Sequence, residues 1–184
     1  MTFGNTTRAW GALSKALHWL IVLLIIGQWV IAERADELPL GGEKLRTLAL
    51  HKSLGMTILG LAIIRLVWRW LNPVPTLQGL AARWERLLAG IAHVLLYALI
   101  FAMPLSGWLM SSARNFPVSW FGLFQFPDLI SPDKRAYEFL HELHEQLFAA
   151  LMIVALLHVV GALKHHFIDR NEVLKRMLPF GGVK

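Results

Sequence analysis

Polar and apolar residues follow one another along this chain in long blocks, not in the two-residue rhythm of half-buried strands. Four apolar blocks, at residues 12–32, 48–71, 87–110 and 138–166, are separated by segments that hold most of the charge and the turn residues. At ~1.5 Å per helical residue, a block of about twenty residues crosses a hydrocarbon layer of ~30 Å. In the last block, no charged residue occurs from Gln146 to Leu163. The pattern predicts an all-α integral membrane protein, a four-helix bundle forming one transmembrane domain over residues 1–184.

The breakers define the connections. Residues 33–47, with Pro39, Gly41 and Gly42, read as the first loop, and Asn72-Pro73-Val74-Pro75 stops the second span. The linker 76–86 reads as a short interfacial helix, and Pro104 as a kink in the third span. Residues 111–137, rich in Phe, Trp and Pro, are expected to rest on the membrane interface. The tail 167–184 is expected to form a basic amphipathic helix. The first apolar block lacks a small-residue cleavage site and is long enough to span, so no cleavable signal is expected.

Composition narrows the chemistry. The chain is 56% hydrophobic and its net charge is +6. In a soluble protein that charge suggests nucleic acid; here the basic residues flank apolar spans, so membrane lipid is the expected surroundings and nucleic acid is not a partner. The absence of cysteine excludes disulfides, thiolate-held iron–sulfur clusters and covalently attached haem. Any metal must be held by histidine, carboxylate or backbone oxygen.

Four spans put both termini on one side. That side and the second loop carry eleven Lys and Arg, the other two loops seven. Both termini are therefore expected to face the cytoplasm.

Histidines sit inside or at the ends of the spans, where an ionisable group is expensive and calls for a function. His144 and His158 are fourteen residues apart on the last span. Helical geometry puts them within ~40° of one face and ~21 Å apart along the axis. Sorted by depth, the imidazoles form two pairs from different helices: His18 with His158 toward the cytoplasm, and His51 with His144 toward the outside. Each pair offers two axial ligands, which suits a haem iron better than zinc, whose structural sites take four ligands. Two haems between the helices are thus expected, with His18, His51, His144 and His158 as iron ligands. Gly55 and Gly161 lie near His51 and His158 and are open to close packing, by a neighbouring span or by a macrocycle. His141 lies about 100° off the face of His158 and is set aside. His93, His165 and His166 are expected near the cytoplasmic surface, either as interfacial residues or as a quinone or proton site beside the inner haem.

The motifs Ala16-Leu17-His18-Trp19, Leu50-His51-Lys52-Ser53-Leu54-Gly55, Arg65-Leu66-Val67-Trp68-Arg69, His93 with Tyr97, and His158 with Lys164-His165-His166-Phe167-Ile168-Asp169 resemble the bacterial cytochrome b561 family. The similarity covers about residues 8–178. It implies a bacterial inner-membrane bundle with two b-type haems on the same two histidine pairs. It also implies electron exchange with the quinone pool, ubiquinone included, and places His93 and His165 at the family's proposed quinone site. Some members oxidise superoxide at the outer haem.

The leading expectation is an oxidoreductase-type conduit that carries electrons across the bilayer between an outer-side donor, superoxide or a periplasmic partner protein, and quinone. Lys44, Arg46, Lys52 and Arg114 are the cations available to steer an anionic donor, against acidic outer loops. Two other classes use the same residues: a membrane anchor relaying electrons for a larger dehydrogenase or hydrogenase, and a haem-free metal transporter.

Overall fold

The computed structural model describes residues 2–76 and 81–179. The described residues form four helices: α1 (Ala12–Glu37), α2 (Gly42–Leu71), α3 (Arg83–Ala113) and α4 (Lys134–Phe167). Between α3 and α4 a minimal antiparallel hairpin pairs β1 (Ser119–Trp120) with β2 (Phe124–Gln125). All four helices are long and apolar enough to cross a membrane. Their lipid-facing surfaces carry Leu23, Val30, Ile63, Ile64, Val94, Ile153, Leu156 and Leu157, all exposed, as expected where hydrocarbon replaces water as the solvent.

The helices outrun the apolar blocks at both ends. Residues 33–37, assigned to the first loop by their charge, continue α1, and α2 begins at Gly42, so only residues 38–41 connect them. Charge ends a hydrophobic block but not a helix, because Glu, Arg and Ala are good helix formers. Proline ends it. Leu38, just before Pro39, is extended at φ −76°, ψ 138°, and Asn72, just before Pro73, is extended at φ −128°, ψ 149°, as the proline ring requires of its predecessor. At the N-termini of α3 and α4 side chains take up free backbone N–H groups: Glu85 accepts from Ala82 N (2.9 Å) and Asp133 from Ala136 N (2.7 Å). Pro104 lies inside α3, which continues past it to Ala113.

Two expectations about connections change. Of the linker 76–86, residues 83–86 belong to α3 and residues 77–80 lie outside the described residues. The tail is not a continuous amphipathic helix: α4 stops at Phe167, Arg170 takes φ 51°, and residues 173–177 form turns. Residues 180–184 of the expected helix lie outside the described residues.

The termini and the α2–α3 connection gather at one end of the bundle, called here the terminal end. Thr76 N donates to Thr7 O (3.1 Å), Arg176 Nη1 to Thr76 O (3.0 Å) and Trp19 Nε1 to Met177 O (2.9 Å). Asn5 and Ser14 form a buried latch there: Asn5 Oδ1 accepts from Ser14 Oγ (2.6 Å) and Gly11 N (3.0 Å), while Ser14 accepts from Trp68 Nε1 at Oγ and from Arg65 at its carbonyl. Gly11 is required here, since a Cβ would lie 2.5 Å from the Gly4 backbone.

At the opposite, hairpin end, residues 117–129 fold down onto α2 and α3. Ser53 Oγ accepts from Phe121 N and lies 2.8 Å from Ala49 O and 2.9 Å from Ser119 O; Trp120 Nε1 donates to Thr57 Oγ1 (3.0 Å). Met56, Leu59 and Val118 form a buried cluster lined by Phe101, Trp108, Trp120 and Phe126. The aromatic loop is thus a packed cover on the helices.

Within the bundle α4 packs against α3, α1 against α2, and α2 more lightly against α3. Among the described residues no close backbone approach joins α4 to α1 or to α2. Side chains alone span that gap, among them Trp29 and Phe148, with ring centroids 6.1 Å apart.

Candidate cofactor site

His51 and His144 meet across the gap between α4 and the α1–α2 pair. At the hairpin end, His51 of α2 faces His144 of α4, with ring centroids 6.4 Å apart and planes at 71°. Two imidazoles sharing one metal, each bonded at about 2 Å, have centroids about 6 Å apart. The spacing therefore fits a metal that both rings would hold.

The two rings are held differently. His144 Nδ1 lies 2.8 Å from Ser106 Oγ, which is also 2.8 Å from Met103 O. Behind the ring is Gly107, where a Cβ would meet His144 Cε1 at 3.2 Å. His51 is fixed through its backbone: Gln28 Nε2 donates to its carbonyl at 2.7 Å. The Nδ1 of His51 is buried with no hydrogen-bond partner among the described residues. A buried imidazole nitrogen without a partner suits a ring that binds a metal or turns to do so.

At the terminal end, His158 of α4 meets His93 of α3, with centroids 5.2 Å apart and planes at 62°. His18 of α1 stacks edge-on against Trp19 at 5.4 Å. His18 lies within electrostatic reach of Arg65, His158 and His93. This level therefore gathers three imidazoles and a guanidinium, where pairing by depth anticipates two imidazoles. The direct ring neighbour of His158 is His93, not His18. Arg65 and Arg69 line a small cleft beside this cluster with Trp10, Ser14 and Tyr97.

His165 is tied elsewhere. Its Nδ1 is 2.7 Å from Asp169 Oδ2, and Lys164 Nζ donates both to Asp169 Oδ2 (2.9 Å) and to Glu85 Oε1. Glu85, His165 and Asp169 bring ligand atoms within 4.8 Å of one another. The Lys164 ammonium already occupies the space between the carboxylates, so the cluster is an ion-pair network linking α3 to the end of α4. The hydrogen bond from Lys164 holds the Asp169 carboxyl below the ordinary carboxylate range. His166 packs its ring on Phe167 at 4.8 Å, with Nδ1 buried and unpartnered among the described residues. His141 pairs with Glu145 at 3.6 Å and lies against Tyr137, with ring centroids 5.8 Å apart.

The two glycines singled out from sequence have different surroundings. Gly55 gives its space to Gln28 Nε2, which a Cβ would meet at 3.2 Å, and a Cβ at Gly161 would meet nothing within 4 Å. Gly107 and Ser106, which do wall and hold a histidine, have only a weak sequence signal: two small residues closely following Pro104.

The model of the prokaryotic cytochrome b561 family matches residues 9–180. The chain belongs to that family. This cytochrome b561 is 35% identical over 179 residues to cytochrome b561 homolog 2 of Escherichia coli K12, covering 97% of this chain and 95% of the relative. It is 27% identical over 172 residues to the probable superoxide oxidase CybB of Yersinia pestis (94% and 97%). It is 24% identical over 164 residues to cytochrome b561 homolog 1 of E. coli K12 (89% and 93%). The cytochrome is a bacterial membrane protein, a four-helix bundle in the lipid bilayer that transfers electrons through b-type haem.

Proposed function

We propose that this cytochrome b561 holds two b haems, one between His51 and His144 and one between His18 and His158, and conducts electrons between an outer-side donor and the quinone pool. The observation that carries the reading is the 6.4 Å facing of His51 and His144 across two helices whose backbones do not pack together. Haem bound there would be held by these histidines and would supply one-electron iron chemistry, which suits electron transfer.

The protein's own groups do the rest. The hairpin cover, pinned by Ser53 and Thr57, keeps water from the His51 level. At the terminal end His93 lies against His158 and belongs to the quinone site with His165, whose Nδ1 is 2.7 Å from Asp169 Oδ2. An imidazole paired with a carboxylate can pass protons near neutral pH as quinone is reduced. Both termini then face the cytoplasm, in keeping with the excess of Lys and Arg at that end.

Superoxide is one donor this arrangement admits, and one relative bears the name of a probable superoxide oxidase. Lys52 and Arg114 both lie over the Phe116 ring at the hairpin end, giving that face a fixed positive patch.

The test is an absorbance spectrum and pyridine haemochrome assay on detergent-purified protein. Two b haems per chain are expected, and a colourless protein overturns the reading. Stopped-flow mixing with superoxide decides the donor: haem reduction faster than superoxide decay supports it, and none excludes it.

A further inference from the structure

We infer that Ser106 is a positioning residue that fixes the tautomer and tilt of His144 and so presents Nε2 to the hairpin-end haem; the inference rests on His144 being an iron ligand.

A serine hydroxyl has one proton to donate and lone pairs to accept with. Ser106 Oγ is 2.8 Å from the carbonyl oxygen of Met103. A carbonyl only accepts, so the hydroxyl proton points there. The same Oγ is 2.8 Å from His144 Nδ1. With its proton engaged, the oxygen can only accept, so Nδ1 carries the hydrogen and donates it. A neutral imidazole has one N–H, which leaves the lone pair on Nε2. The Met103 carbonyl is itself a hydrogen-bond neighbour of the His144 ring, and as an acceptor it demands the same tautomer. Ser106 is 4% exposed, so water does not compete for these bonds.

Steric contact completes the setting, because the ring rests over Gly107. The Nδ1 of His51 has no such hydroxyl: it is without a hydrogen-bond partner among the described residues, and the Gln28 backbone is the polar neighbour of its ring. Of the two rings, only that of His144 has a hydroxyl partner among the described residues. Hydrogen bonding of the distal N–H makes a metal-bound imidazole a stronger donor. That favours ferric over ferrous iron, so Ser106 lowers the midpoint potential of the haem that His144 ligates.

The experiment is a spectroelectrochemical titration of full-length, haem-loaded wild type, S106A, S106T and H144A, with the rate of haem transfer to apomyoglobin measured alongside. Alanine matches the small volume and is a better helix former than serine, so S106A is expected to fold and bind two haems. Its expected signature is an upward shift of one midpoint, that of the haem missing from H144A, with faster transfer of that haem. S106T keeps the hydroxyl and should restore the midpoint; if S106T fails to load both haems, S106A alone decides. Two bound haems with unmoved midpoints in S106A overturn the role, as does faster haem loss without a midpoint shift, the mark of packing alone. A wild type without haem, or an H144A protein that keeps both, overturns the ligand assignment itself and the role of Ser106 with it.

Discussion

Gly107 and His144, on different helices, touch so closely that a methyl group on the glycine would lie 3.2 Å from the imidazole Cε1. The contact is tighter than ordinary packing, so any side chain at residue 107 must displace the ring. G107A is expected to tilt His144 and weaken the hairpin-end haem. G107V, with a branched side chain, is expected to expel it and halve the pyridine haemochrome ratio, with the terminal-end haem retained. A G107V protein with both haems at wild-type ratio would show that the ring does not need this wall.

The terminal-end cluster poses a choice of ligand, since His158 touches His93 while His18 lies within electrostatic reach of both. The proposed pairing makes His18 the ligand and His93 a quinone-side group. H18A should therefore lose one haem. H93A should keep two, with quinone reduction slowed by about a hundredfold or more, the scale of losing a positioned proton-transfer group. Haem content of the two variants checks this directly; loss of a haem in H93A with none lost in H18A would reverse the assignment.

The Lys164–Asp169 pair makes stability depend on pH at the terminal end. The hydrogen bond from Lys164 depresses the Asp169 carboxyl below its ordinary value. A group with a depressed folded-state pKa stabilises the fold above its unfolded value, near 4, and loses that contribution as pH falls through the folded value. D169N should thus unfold at a lower temperature than wild type at neutral pH. The difference should close as pH drops below about 4. Thermal unfolding in detergent across that range is the measurement, and a pH-independent gap would assign the effect to packing.

Ser53 joins α2 to the hairpin cover. It is 2% exposed; its hydroxyl accepts from Phe121 N and lies within hydrogen-bond distance of Ser119 O. S53A leaves the Phe121 N–H without its partner, at a cost of about 1–3 kcal/mol. Faster amide hydrogen exchange over residues 117–125, with α4 unaffected, is the expected readout.

Much of this architecture is written in the chain. The four apolar blocks predict four helices, and Pro39 and Pro73 mark where two connections begin, because both features act locally. The heights of His18, His51, His144 and His158 follow equally, since an α-helix advances a constant distance per residue. Charge misleads at residues 33–37, which look like loop yet continue α1. Leaving hydrocarbon changes a residue's solvent, not its backbone preference.

Lateral relations have no such local origin. Which imidazole meets which depends on how helices rotate and pack, and here α4 leans on α3 while standing off α1 and α2. That arrangement brings His93 against His158 and sets Ser106 and Gly107 of α3 under His144. Depth along a helix is fixed by the rise of its own backbone, whereas a neighbour across the bundle is chosen by side chains far apart in sequence, and only the folded protein makes that choice.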